Sequence, residues 1–239
     1  MSKVERKQIS ENLSEVFDSI QKAVDDSGRE KGSVSLIAVS KKKPIELIKE
    51  AIDWGQKNFG ENYVKEAAEK IPLARDYSSS ELTFHLIGHL QSNKAKLAVE
   101  LFDVFQTVDT IKLHDALANQ CEKQGVQREA LIQVNVSGEQ QKSGISPSDL
   151  PELVEQFKQS QSLRLKGLMM IGSFSNPLGQ PNRKKGEFES LAYLAKREAE
   201  RADIELSELS MGMSGDLQQA IGFGSTMVRV GTAIFGERS

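Results

Sequence analysis

SLIAVSKKKPIELIKEAIDWGQKNFGE, residues 35–61, holds two periodicities in one stretch. Residues 35–40 (SLIAVS) and 57–61 (KNFGE) are short runs of the kind that form strands buried on both faces. Between them PIELIKEAIDWG carries apolar residues at helical spacing and opens on Pro44, which a helix accepts in its first turn. Strand, helix and strand in so short a span predict a parallel pair joined by a helical crossover.

The pattern repeats outward. Further strands are predicted at about 82–88 (LTFHLIG), 104–109 (VFQTVD), 129–136 (EALIQVNV), 164–172 (RLKGLMMIG), 205–211 (ELSELSM) and 227–231 (MVRVG). Helical patterns such as NKAKLAVELF, TIKLHDALANQCEKQG and FESLAYLAKREAERA lie between them. Eight strands alternating with helices in 239 residues predict one α/β domain over 1–239, a (β/α)8 TIM barrel rather than an open sheet. Before the first strand, Ile9, Leu13, Val16, Phe17, Ile20 and Val24 fall three and four apart, the stripe of an extra N-terminal helix. Little sequence follows the eighth strand, so that helix is expected to cover the gap there. GSFSNPLGQPNRKKG, 172–186, reads as an exposed loop, with a flap over the site as the alternative; NRKKG is its solvated basic part.

Composition narrows the function. With 31 basic and 34 acidic residues the net charge is −3, without the basic excess of a nucleic-acid binder. No apolar run approaches the ~20 residues of a membrane span. One cysteine, Cys121, excludes an internal disulfide framework, and residues 1–10 lack a signal-peptide pattern. The expected compartment is therefore the cytoplasm, and Cys121 is expected to be a bystander thiol.

In barrels of this kind the chemistry sits at the C-terminal ends of the strands. Here those ends carry Ser40-Lys41, Gly60-Glu61-Asn62, Gly88-His89, Gly172-Ser173, Met211-Gly212-Met213-Ser214 and Arg229-Val230-Gly231-Thr232. Ser214-Gly215-Asp216 precedes a short helical pattern, which suits either a helix cap or an anion cradle. Gly231 and Thr232 fall at the same corner, and the loops after strands seven and eight are a frequent phosphate site. A bound phosphate group is the favoured reading. Of the three lysines at 41–43, strand alternation puts Lys41 and Lys43 on one face, with Lys41 as the last strand residue. Partial desolvation beside Ile37 and Val39 favours its neutral amine, the form that makes Schiff bases. A Schiff-base lysine with a phosphate site points to a phosphorylated aldehyde. It is either a phosphosugar, as in a lysine aldolase, or pyridoxal phosphate, whose ring nitrogen Arg229 could then meet. His85 and His89, four apart on a strand, are ~13 Å apart along it, too far to share one ion. Met169 and Met170 read as core.

Six stretches, LIAVSKKKP, NFGENYVKE, FHLIGHLQSNK, QVNVSGEQQKSG, LSMGMSGDLQQAI and GSTMVRVGTAIFG, span residues 36–236. Together they resemble the pyridoxal phosphate homeostasis proteins, single-domain relatives of the N-terminal barrel of bacterial alanine racemase. The resemblance implies pyridoxal 5′-phosphate held as a Schiff base on Lys41. It implies phosphate contacts from Ser214, Gly231 and Thr232, and Arg229 at the ring nitrogen. Asn62, His89, Ser210 and Met211 match positions lining the pocket. The family often has threonine where Lys42 stands and aspartate where Gly215 stands, and MMIGSFSNP departs further, at Ser173.

An arginine keeps its proton and makes the ring a weaker electron sink. A racemase also needs a second base on the opposite face, which alanine racemase draws from a second domain. The tyrosines here are Tyr63, Tyr77 and Tyr193, and only Tyr63 lies near a strand end. The expectation is a monomeric binding protein that stores, delivers or buffers the cofactor without robust catalysis, with apoenzymes or free amino acids as recipients. The alternatives are a racemase or lyase using Tyr63 or His89, and a cofactor-free aldolase.

Overall fold

The computed structural model describes residues 3–139, 141–172 and 183–237. Helix α1 (Lys3–Asp26) leads into β1 (Ser35–Val39), α2 (Ile45–Trp54), β2 (Asn58–Glu61), α3 (Val64–Tyr77), β3 (Thr83–Leu86) and α4 (Ala95–Leu101). Then come β4 (Val104–Val108), α5 (Ile111–Gln124), β5 (Arg128–Gln133), α6 (Leu150–Lys158), β6 (Leu163–Met169) and α7 (Arg183–Ala202). The last elements are β7 (Glu208–Met213), α8 (Leu217–Gly222), β8 (Met227–Val230) and α9 (Thr232–Phe235). The eight strands pair in parallel in chain order and close β8 onto β1, a TIM barrel. Each predicted strand is present, shifted by a few residues at most.

Period-two alternation divides the strands into two faces. Leu36, Ala38, Phe59, Phe84, Leu86, Ile132, Leu168, Val228 and Val230 belong to the main core shared with the helices. The alternate residues include Asn58, His85, Gln106, Ser210 and Arg229, which hydrogen-bond to one another inside the barrel. The interior therefore carries a polar line beside an apolar cluster of Val104, Leu131 and Met169. Met169 and Met170 are both buried, as expected of core residues.

Helix α1 packs on α2, α8 and α9, so it covers the place beside β8 and β1. Ile9, Leu13, Val16, Ile20, Ala23 and Val24 are its buried face. Each larger aliphatic there contributes ~1.5–3 kcal/mol. Phe17 departs from the predicted stripe: it is half-exposed, its ring edge-on to Trp54 at 6.1 Å. Asn12 Nδ2 donates to Ile234 O (2.8 Å), and the Arg29 guanidinium to the carbonyls of Ser225 (2.7 Å) and Ser33 (3.0 Å). These bonds tie the chain before β1 to the segments on either side of β8.

Most of the irregular stretch 172–186, including Ser173, lies outside the described residues. Arg183–Gly186 is not loop but the first turn of α7, and Lys185 Nζ stands over the Phe223 ring at 5.8 Å. No helix among the described residues is long and apolar enough to cross a membrane.

Candidate functional site

β7, β8 and β1 are neighbours, so the ends carrying Ser214, Gly231-Thr232 and Lys41 lie along one arc of the barrel mouth. The register sets Met213 beside Arg229 and Ala38 beside Val230. The next step brings Gly231 onto Val39, where an added Cβ would lie 3.3 Å from Val39 Cβ and O. Ser214 and Thr232 are exposed, and Gly231 is half-buried. Asn62 and His89 continue the arc after β2 and β3. Asn62 Oδ1 is buried without a hydrogen-bond partner, and His89 is exposed. Gly88 lets these two ends meet: an added Cβ would sit 2.4 Å from Asn62 O.

Lys41 is not the last residue of a strand. β1 ends at Val39, and Ser40–Lys43 form a turn in which Lys43 N–H donates to Ser40 O (3.1 Å). Lys42 holds a φ of 58°, a left-handed conformation that costs a side-chain-bearing residue ~1–2 kcal/mol. Strand alternation therefore stops at Ser40, and Lys41 and Lys43 do not share a strand face. Lys41 stays half-buried at the mouth, while Lys43 Nζ donates to Glu237 O (2.6 Å).

A buried charge cluster holds this turn, and the sequence reading missed it. Lys70 of α3 donates to Ser40 O (2.8 Å) and pairs with Glu61 (2.6 Å) and Glu66 (2.6 Å). Glu66 Oε1 also accepts the Lys42 N–H, and Glu61 Oε1 the Ser40 hydroxyl (2.7 Å). Glu61 is fully buried, and desolvation raises its carboxyl above the ordinary range although Lys70 and Ser40 pull it down. The only sequence signal was an acidic residue closing the run NFGE.

At the corner after β7 Asp216 is the first residue before α8, but its carboxylate does not cap that helix. Asp216 Oδ1 instead accepts the Met213 N–H (2.7 Å), folding 213–216 back so that Ser214 and Gly215 face solvent. Arg229 is buried. Nη1 donates to Ser210 Oγ (2.5 Å) and Nη2 to Met170 O (2.8 Å). Burial pulls it down to about 10, against the pull of Asp216, so it is a cation at neutral pH. Ser210 faces the interior. Met211, next to it on β7, faces the opposite way and packs in the core shared with the helices, so its side chain does not line the mouth. Asp109, just beyond β4, accepts the Gly144 N–H (3.3 Å); burial raises its carboxyl, with Gly144 and His89 acting against the rise. Cys121 is fully buried, and burial pushes its thiol up to about 11.

A parallel barrel with a lysine turn after its first strand, and a polar corner after its seventh and eighth, defines a class that comparison also recovers. Residues 17–239 match the family described as alanine racemase, N-terminal domain. The pyridoxal phosphate homeostasis protein of Vibrio cholerae is 44% identical over 233 residues, covering 96% of each chain. PipY of Synechococcus elongatus PCC7942, solved with PLP bound, is 37% identical with a TM-score of 0.82, covering 96% of this chain and 100% of PipY. A Bifidobacterium adolescentis protein superposes with a TM-score of 0.89 at 32% identity, covering 98% and 97% of the two chains. The chain belongs to the alanine racemase N-terminal domain family and, within it, to the pyridoxal phosphate homeostasis proteins.

Proposed function

We propose that this chain holds pyridoxal 5′-phosphate through a Schiff base to Lys41 and serves intracellular homeostasis of that cofactor, without robust catalysis of its own. The residues present fit the group. Lys41 offers an amine at the mouth, Ser214 and Thr232 offer exposed hydroxyls, and Arg229 offers a buried cationic donor. Asn62 Oδ1 is a buried acceptor without a partner on the same rim. PipY, at 37% identity, binds PLP. When bound, the cofactor supplies an aldehyde and an aromatic ring that draws electrons from an attached amine.

The observation that carries the non-catalytic part is Arg229. Its guanidinium is fixed by Ser210 and Met170, and about 10 is still far above neutral pH. Arg229 would offer a ring nitrogen held against it a hydrogen bond but no proton, which would limit the electron withdrawal that removal of an α-proton requires. Tyr63 and His89, the two candidate second bases of the racemase reading, are both exposed, Tyr63 by 49% just before α3. Apoenzymes or free amino acids would take the cofactor by amine exchange at Lys41.

Two measurements test this. Borohydride reduction of the yellow protein, followed by peptide mapping, is expected to label Lys41 alone and to label nothing in Lys41→Ala. Label on Lys43, or label persisting in Lys41→Ala, would refute the assignment. Incubation with L- and D-amino acids in heavy water, followed by NMR, is expected to leave the α-protons in place. Exchange near ~1 s⁻¹ would establish an enzyme, and its loss in Tyr63→Phe would name the base.

A further inference from the structure

Below the mouth, five side chains are hydrogen-bonded in series across the barrel. Arg229 Nη1 donates to Ser210 Oγ (2.5 Å), and the Ser210 hydroxyl donates to Gln106 Oε1 (2.7 Å). Gln106 Nε2 lies 3.1 Å from His85 Nδ1, and His85 Nε2 lies 3.3 Å from Asn58 Oδ1. Ser210, Gln106, His85 and Arg229 are all at least nine-tenths buried. The series starts beside the mouth on β8 and passes through β7, β4 and β3 to β2.

Its direction follows from donor chemistry. Arginine only donates, so Ser210 Oγ accepts, and the one hydroxyl hydrogen must go elsewhere. Gln106 Oε1 takes it. The amide nitrogen then faces His85 and also donates to Met227 Sδ (3.6 Å). His85 Nδ1 must accept, so its proton sits on Nε2 and points at Asn58 Oδ1. With the amide reversed, Gln106 would donate to Ser210 Oγ and leave the hydroxyl hydrogen buried without an acceptor, a cost of ~1–3 kcal/mol. Desolvation lowers His85 to about 3, so it remains neutral and cannot turn the series around with a second N–H.

We infer that Ser210, Gln106 and His85 are positioning residues for Arg229: they fix the plane of its guanidinium and keep the Ser210 hydroxyl hydrogen turned into the barrel. The inference rests on the assignment of Arg229 to the ring nitrogen made above. It adds that the charged guanidinium is the one donor offered to that nitrogen from this side, because the neighbouring hydroxyl is committed to Gln106. Gln106→Leu removes the acceptor of Ser210, and His85→Phe the acceptor of the Gln106 amide. Either change frees a buried donor and loosens Arg229.

The test uses the full chain loaded with pyridoxal 5′-phosphate carrying the heavy nitrogen isotope in its ring. Ring-nitrogen chemical shift by NMR and cofactor loss on dialysis are the two readouts. Gln106→Leu and His85→Phe are expected to displace the ring-nitrogen resonance and to speed cofactor loss about tenfold, the worth of one buried hydrogen bond. His85→Gln, which keeps an acceptor toward Gln106 and a donor toward Asn58, is expected to return the resonance toward its original position. Gln106→Met, closer in volume, serves if the leucine variant does not fold. A Gln106 variant that melts earlier but leaves the resonance unmoved would show a merely structural network and overturn the inference. Arg229→Gln separates the two levels. If it leaves the resonance unmoved, the ring-nitrogen assignment itself fails. If it moves the resonance while the Gln106 and His85 variants do not, the assignment stands and the positioning role falls.

Discussion

Replacing Lys70 with methionine keeps most of the side chain's length and removes its charge. The ammonium group pairs with Glu61 and Glu66, each at 2.6 Å, and donates to Ser40 O at 2.8 Å. Without it, Glu61 keeps the Ser40 hydroxyl at 2.7 Å, while its other oxygen, Oε2, is buried with no partner even in the native chain. A fully buried carboxylate stripped of its cation costs about 3–5 kcal/mol, well above the ~0–1 kcal/mol of an exposed pair. The cost has a pH signature. Burial already raises Glu61 above its ordinary 4.5, and loss of Lys70 raises it further. Below 4.5 folded and unfolded chains both carry the proton, so little is lost. As pH climbs from there through the raised folded value, the unfolded chain releases its proton first. Stability then falls with rising pH until the full cost is reached. Urea midpoints and slopes taken from about pH 4.5 to pH 8 measure this. Lys70→Met should approach the native midpoint at the acid end and fall short by the full amount at the other. Lys70→Met combined with Glu61→Gln should recover most of the loss. A loss under about 1 kcal/mol throughout, or one that does not change with pH, would refute a buried charged pair. Because Lys70 also holds the Ser40 carbonyl, borohydride labelling of Lys41 should slow in the same variant.

Other changes test the rest of the mouth and the interior. Ser214→Ala with Thr232→Ala should weaken cofactor retention by ~1.5–3 kcal/mol for each hydrogen bond lost to a charged group, read by equilibrium dialysis; unchanged retention would remove the phosphate from this corner. Gly88→Ala sets a Cβ 2.4 Å from the Asn62 carbonyl oxygen, so backbone must move; ~1–3 kcal/mol should be lost in thermal unfolding. His85 is held neutral down to about 3, whereas in the unfolded chain it takes a proton near 6.5. Between those values it should cost ~1.4 kcal/mol of stability per unit of falling pH, and in His85→Gln that slope should vanish from the urea midpoints.

The alternation of strands and helices was legible because each strand is short, apolar and bounded by a helix of clear period. Arg229 was legible for the same reason, since a charged residue inside MVRV must face the barrel. Met211 was misplaced against that very rule: it adjoins Ser210 on β7, and adjacent strand residues cannot both face inward. The place of Lys41 after β1 was legible, but not its turn, because nothing in KKK marks the left-handed residue at Lys42. Lys70 and Glu66, in VKEAAEKI, read as ordinary helix-surface charge. The burial of Lys70 and its pairing with Glu61 depend on how α3 lies over the ends of β1 and β2, which no local pattern encodes. The same holds for Gln106 and His85, whose partners come from strands that meet only on closure. NRKKG read as loop because Gly186 and a basic run carry no helix-start signal.

Closure between β8 and β1 has a consequence for how the chain is made. Lys43 reaches Glu237 across 194 residues, Arg29 reaches Ser225 across 196, and Asn12 reaches Ile234 across 222. Contacts of such separation are the slowest to form, because the loop they close is almost the whole barrel. As the chain leaves the ribosome, Lys41 emerges early and must wait for Arg229, Gly231 and Thr232 before its surroundings exist. A ligand gripped from both sides of that seam stabilises only the closed barrel, by mass action. On the proposed assignment of Lys41, Arg229, Gly231 and Thr232 to the cofactor, its supply would act on the yield of finished barrels.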